Sequence, residues 1–112
     1  MNTVFHLSTD KSEKISELIG NVKNLKIDKT AAINQICVVL NADGVHAVLN
    51  EESASEYLQV LAEEGVKLKV CSNSVEGQEI ERERLLDEID IVSSGVAELN
   101  RLQDKGYNYI KI

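Results

Sequence analysis

The 112-residue chain contains no proline, only two cysteines and two histidines, and 12 basic residues against 19 acidic ones. Each shortage narrows the field. Cys37 and Cys71 stand far apart in apolar or strand-like surroundings. That is not a disulfide framework; it indicates a reducing compartment, so a cytoplasmic location is expected. His6 and His46 have no CxxC or HxxxH partner, so no metal site is expected. A formal charge of −7 argues against binding a phosphate backbone, which needs a basic stripe, and no nucleic-acid partner is expected. No apolar run reaches the length that crosses a bilayer, and none follows a basic segment at the start. Neither a membrane span nor a secretion signal is expected. The chain also lacks a P-loop, a GxGxxG turn, a Gly-x-Ser-x-Gly elbow and a defensible carboxylate pair. Nucleotide hydrolysis, serine-hydrolase chemistry and glycosidase chemistry are left without support, and no cofactor is expected. The absence of proline fits short turns built from Gly and Ser.

What is present is an alternation of strand and helix patterns. At this length one domain, residues 1–112, is expected to bury most of its apolar surface without covalent staples. Val4-Phe5-His6-Leu7 reads as a short strand, followed by a helix with an Asp10/Glu13 capping box and an apolar stripe of Ile15, Leu18, Ile19, Val22 and Leu25. Gln35–Leu40 is apolar without alternation, as a central parallel strand covered on both faces should be. A helical turn over Val45–Leu49 follows, then a helix with a Ser53/Glu56 capping box, closed by Gly65. Val66, Leu68 and Val70 alternate with Lys67 and Lys69, a half-buried strand with one wetter face that stops at Cys71. The crossover Val75–Ile89 is expected to hold a helix near Ile80–Leu86. After it come a strand at Asp90-Ile91-Val92, a helix capped by Ser94 with Val96, Leu99 and Leu102 inward, Gly106 to end it, and a last strand over Tyr107–Ile112. The seven acids between Glu76 and Asp90 read as a solvated helical face or, alternatively, as a surface for a basic partner.

Five strands separated by helices imply an α/β fold. The expected architecture is a three-layer α/β/α arrangement around a five-stranded, mostly parallel sheet, flavodoxin-like in appearance, with right-handed crossovers. In such sheets ligands bind at the carboxyl ends of the strands. Here those ends carry Ser8-Thr9-Asp10, Asn41-Ala42-Asp43-Gly44, Cys71-Ser72-Asn73-Ser74 and Ser93-Ser94-Gly95. One rim would therefore gather small polar residues, helix N-termini and a single thiol, a composition suited to a thiolate or a small anion.

The individual residues have competing readings. Cys37, between Ile36 and Val38, reads as a packing residue. Cys71 is the candidate nucleophile, since the thiolate is the reactive form and needs exposure and a polarising neighbour. His6 lies on the strand face opposite Phe5 and Leu7, either as a hydrogen-bonding core residue or as a companion of Cys71. Asn41 and Asn73 are donors to a bound anion or ordinary turn residues. Ser72 and Ser74 would hold a charged sulfur, and Ser94 is a cap at the same rim. His46 is expected at the surface. Tyr107, Tyr109 and Ile112 would make a subunit contact or cover the sheet edge.

The order and spacing of several segments resemble the DsrE/DsrF-like family. They are Val4-Phe5-His6, Val38-Val39-Leu40-Asn41 with Gly44-Val45, Val70-Cys71-Ser72-Asn73-Ser74, Ser94-Gly95-Val96-Ala97-Glu98-Leu99 and Gly106-Tyr107-Asn108-Tyr109-Ile110-Lys111. The resemblance implies a doubly wound domain that assembles as a homotrimer or hexamer. It also implies intracellular sulfur relay through a persulfide on the cysteine that matches Cys71. Many relatives place an aspartate two residues after the first-strand histidine; this chain has Ser8 there and an acid only at Asp10. The expected function is thus a sulfurtransferase-like carrier that exchanges sulfane sulfur with thiol-bearing donor and acceptor proteins. The alternative is a non-catalytic oligomeric module that binds a small ligand or protein around an inert Cys71.

Overall fold

The computed structural model describes residues 1–112. Five strands, β1 (Asn2–Leu7), β2 (Gln35–Leu40), β3 (Lys67–Cys71), β4 (Ile89–Val92) and β5 (Tyr107–Lys111), form one sheet in the order β4-β3-β2-β1-β5. Every adjacent pair is parallel, and an isolated antiparallel bridge joins Leu49 to Leu85 outside the strands. The expected α/β fold is present.

Handedness explains how the helices are shared out. The steps from β1 to β4 all move one way across the sheet, so right-handed crossovers put their helices on one face. These are α1 (Ser12–Ile27), the 3₁₀ segment Ala42–Val48, α2 (Ser55–Glu63) and α3 (Ser72–Gly77). The return from β4 to β5 reverses direction, and α4 (Gly95–Asp104) crosses the other face alone. The crowded face buries 23 residues, among them Phe5, Leu18, Leu58, Leu68 and Val70. The α4 face buries a cluster of five, Val4, Cys37, Val39, Leu99 and Leu102. A fully buried Leu or Phe contributes about 1.5–3 kcal/mol, so most of the stability resides on the crowded face. The thinner α4 face leaves its upper end to polar side chains.

Several local expectations give way to tertiary context. The Asp10/Glu13 box does not form: α1 begins after Lys11 without a side-chain cap, and Asp10 turns to His46, with Oδ2 and Nδ1 3.2 Å apart. The Ser53/Glu56 box is also absent, because α2 starts at Ser55, whose Oγ donates to the Glu52 carbonyl at 2.7 Å. The helix expected near Ile80–Leu86 comes earlier. α3 occupies Ser72–Gly77, with Gly77 as its last residue, and only a 3₁₀ turn, Arg82–Arg84, follows. Ile80, Leu85 and Leu86 are buried as loop anchors. The acids from Glu76 to Asp90 are all exposed but are spread over α3, loop, turn and β4, so they make no single helical face. Val96 is 60% exposed rather than inward. The buried stripe of α4 runs through Gly95, Glu98, Leu99 and Leu102, the i, i+3, i+4, i+7 spacing of one helix face, which excludes Val96.

Candidate functional site

Cys71 is both the last residue of β3 and the residue that leads into α3. Its side chain shares the α4 face with Lys69, because successive strand residues alternate between faces. β4 pairs alongside, Cys71 opposite Val92, and Ser93-Ser94 then turn the chain into α4. Ser94 is the cap expected of it, its Oγ accepting from the Ala97 N–H at 3.3 Å. The first residue of α4, Gly95, sits directly over the thiol. A Cβ added there would lie 3.3 Å from Cys71 Cβ and 3.1 Å from Asn41 Cβ. The missing side chain therefore lets the α4 backbone come close to the sulfur.

Two opposing effects set the charge preference of that sulfur. Burial pushes the Cys71 thiol up, but hydrogen bonding from the Ser74 hydroxyl and from the backbone N–H groups of Gly95, Ser74 and Asn73 outweighs it, leaving the pKa below that of an ordinary thiol. Cys71 makes no side-chain cap hydrogen bond; the neighbouring hydroxyl and N–H groups act on it by favouring the charged form of the sulfur. Ser74 is itself held in place, since its Oγ accepts from the Ala42 N–H at 2.8 Å, which leaves the hydroxyl hydrogen for Cys71. Ala42 adopts φ +48°, a left-handed conformation that costs about 1–3 kcal/mol in a non-glycine residue. It is fixed there by Ser74 at its nitrogen and by Gln78 Nε2 at its carbonyl, 3.0 Å away.

Cys71 is only 5% exposed. Gly95 and Asn41 border it at the rim, and it lines none of five surface hollows of the chain.

The remaining predicted residues divide. His6 and Asn41 come together, with Nε2 and Oδ1 2.8 Å apart, and Asn41 borders Cys71 across Gly95. Ser74 reaches the sulfur. Ser72 turns toward Glu76, Oγ to Oε1 3.4 Å, and Asn73 is exposed, contributing its backbone N–H. Cys37 is buried at 1% exposure, and burial pushes its thiol up, which suits a packing residue. Asp10 is taken by His46 and does not join His6. No group of three His, Cys, Asp or Glu side chains converges as a metal site would require. No helix is long and apolar enough to cross a membrane.

Sequence reasoning missed three features. Gly95 walls the thiol, and its only sequence signal is a small residue after Ser93-Ser94. Tyr109 is engaged by His6 Nδ1 at 2.6 Å, although its place on a terminal strand suggested a subunit contact or an edge cover. Lys69 is not on a wet face: its side chain is 19% exposed and its ammonium pairs with Glu98 of α4, which also accepts from Arg101 Nε at 2.9 Å. This pair anchors α4, and with it Gly95, over the strand that carries Cys71.

Known proteins share this arrangement of elements. The chain is similar to MTH1491 of Methanobacterium thermoautotrophicum, a protein of unknown function, with 32% identity and a TM-score of 0.93 over 99% of this chain and 98% of that one. The ychN protein of E. coli superposes with a TM-score of 0.80 at 17% identity, covering 100% of both chains. BT1422 of Bacteroides thetaiotaomicron, also of unknown function, gives 0.74 at 16% identity over 99% and 94%. These last two speak for the fold alone. A search of curated proteins finds no significant match. The family profile that fits residues 5–112 runs from within β1 through the Cys71 turn to β5, and on that match the chain belongs to the DsrE/DsrF-like family.

Proposed function

We propose that this protein is a sulfur carrier of the cytoplasm, holding sulfane sulfur as a persulfide on Cys71 and passing it to the thiol of a partner protein. Family membership supports sulfur relay as the class of activity. The observation that carries the finer reading is the placement of Cys71 at the head of α3 and against Gly95 of α4, where the Ser74 hydroxyl and the N–H groups of Gly95, Ser74 and Asn73 favour a charged sulfur. In the loading step, the Cys71 thiolate attacks the terminal sulfur of a donor persulfide. A new S–S bond forms to Cys71 and the donor leaves as its thiolate. In the second step an acceptor thiolate attacks the sulfur on Cys71, taking it and returning Cys71 to the thiolate. Both steps balance without an outside oxidant or reductant. These donors favour the thiolate before loading; in the persulfide the charge moves one S–S bond outward, to the terminal sulfur. Both cysteines are free, in keeping with a reducing compartment. Tyr109 and Ile110, exposed on the edge strand β5, support self-association into a homotrimer or hexamer.

The rival reading, a binding module with an inert Cys71, is favoured by the low exposure of that residue. The two part on one experiment, incubation with a sulfane donor followed by mass spectrometry. The wild type is expected to gain the mass of one sulfur, reversible by cyanide, and Cys71→Ser is expected to gain none. A wild type that gains nothing, or a variant that gains equally, contradicts the carrier.

A further inference from the structure

The half-buried His6 is tied on both sides. Its Nε2 faces Asn41 Oδ1 at 2.8 Å; that oxygen can only accept, so Nε2 carries the hydrogen. Nδ1 is then the lone-pair nitrogen, and it accepts the hydroxyl hydrogen of Tyr109 at 2.6 Å. The result is a directed chain from Tyr109 through His6 to Asn41. Burial, aided by the neighbouring Lys111 charge, keeps His6 below its ordinary pKa despite the Asn41 bond, so the ring is neutral near pH 7.

The far end of the chain is what matters chemically. With its oxygen taken by His6, the Asn41 amide turns its nitrogen away from the ring. That nitrogen makes no hydrogen bond to another group of the chain, and the groups acting on the bare Cys71 sulfur are Ser74, Gly95 and Asn73, so it is available to a sulfur added to Cys71. Asn41 and Cys71 flank the same bare point above Gly95, their Cβ atoms 3.1 and 3.3 Å from the place a glycine Cβ would occupy. Across the sheet, Leu40 pairs with Val70, so Asn41 and Cys71 are the next residues along their adjacent strands.

We propose that Tyr109 and His6 are positioning residues that fix the Asn41 amide so that its N–H donates to the sulfur carried on Cys71. This rests on Cys71 acting as the carrier. A free amide would present its oxygen as readily as its nitrogen, and an oxygen facing a sulfur anion repels it. Donation from the Tyr109 hydroxyl to Nδ1 favours the tautomer with hydrogen on Nε2, and that tautomer favours the amide orientation with its oxygen on the ring.

The test uses Tyr109→Phe, Asn41→Ala and the double variant. Tyr109 is 41% exposed, so loss of its hydroxyl leaves the fold intact. Two readouts are needed: the alkylation rate against pH of Cys71 loaded with one sulfane sulfur, and the nitrogen chemical shifts of His6, which report its tautomer. Wild-type His6 is expected to show hydrogen on Nε2. Tyr109→Phe is expected to raise the midpoint for the loaded sulfur and so to slow its alkylation by about fivefold below that midpoint, in keeping with a weakened donor to a charged sulfur. In the Asn41→Ala background the same change is expected to have no further effect, because residues acting through one another are not additive. Hydrogen found on Nδ1, or an equal effect of Tyr109→Phe in both backgrounds, overturns the inference. A wild-type Cys71 that has a low pKa and loads, but whose loaded sulfur Tyr109→Phe leaves unmoved, overturns this inference alone. A wild-type Cys71 titrating like a free thiol overturns the carrier reading and this inference with it.

Discussion

Gly44→Ala is expected to lower stability by about 3 kcal/mol, at the upper end of what overpacking costs, and to lower Tm by roughly 15 °C. A Cβ at this position would lie 2.2 Å from the Leu7 carbonyl oxygen, 2.8 Å from its carbon and 3.2 Å from Ser8 Cα. All three are backbone atoms of the end of β1, so no side chain can rotate aside. The 3₁₀ segment would have to withdraw, taking with it Val45, Ala47 and Val48, each fully buried. It would also pull Ala42 from Ser74. Loss of a sizeable part of a total of about 5–15 kcal/mol should therefore come with loss of Cys71 reactivity. Gly20→Ala provides the control: nothing lies within 4 Å of its Cβ position in the middle of α1, and a gain of about 0.5–1 kcal/mol is expected. Thermal or urea unfolding of the two variants checks both signs.

Glu98→Ala is expected to cost about 2–3 kcal/mol. Its carboxylate is 11% exposed and faces Lys69, itself 19% exposed, and removing one partner leaves a largely buried charge alone. The figure sits below that for a wholly buried pair because Lys69 keeps some contact with water. The Lys69 hydrogen bond holds the Glu98 carboxyl below the usual carboxylate value, against desolvation and with help from Arg101. A carboxyl depressed in the folded state stabilises fully above its unfolded pKa of about 4.3. That contribution fades as pH falls through the lower folded pKa. Urea titrations at stepped pH should show the wild type losing stability through that window and Glu98→Ala losing less.

Much of the framework was legible because it depends on local pattern. The unbroken apolar run of β2 announced a strand covered on both faces, and the period of two in Val66, Leu68 and Val70 placed Cys71 at a strand end. Gly65 and Gly106 were read as helix ends, and they do adopt φ +103° and +92°, values that glycine reaches without strain. What was illegible depends on neighbours distant in the chain. Lys69 looked like a wet-face residue until Glu98, on a helix that crosses the sheet, came to lie against it. The Ser72-Asn73-Ser74 run gives little helical signal of its own, since serine and asparagine have weak helix propensity, yet α3 starts there, with Val75 in the core. Asp10 and Glu13 carried a capping signal, but His46 from the next crossover took the acid. The gathering of polar residues at one rim was foreseeable from topology. The Gly95 wall and the Tyr109 link were not, because each depends on α4 and β5 returning over strands formed much earlier in the chain.

The most direct measurement is the alkylation rate of Cys71 in the native wild-type protein as a function of pH. If its sulfur is a stabilised thiolate reachable from the rim, the rate should level off with a midpoint below that of a free thiol, about 8.5, and the midpoint should rise in Ser74→Ala. A midpoint at or above the free-thiol value, or a Cys71 that reacts only after unfolding, would contradict sulfur transfer through this residue.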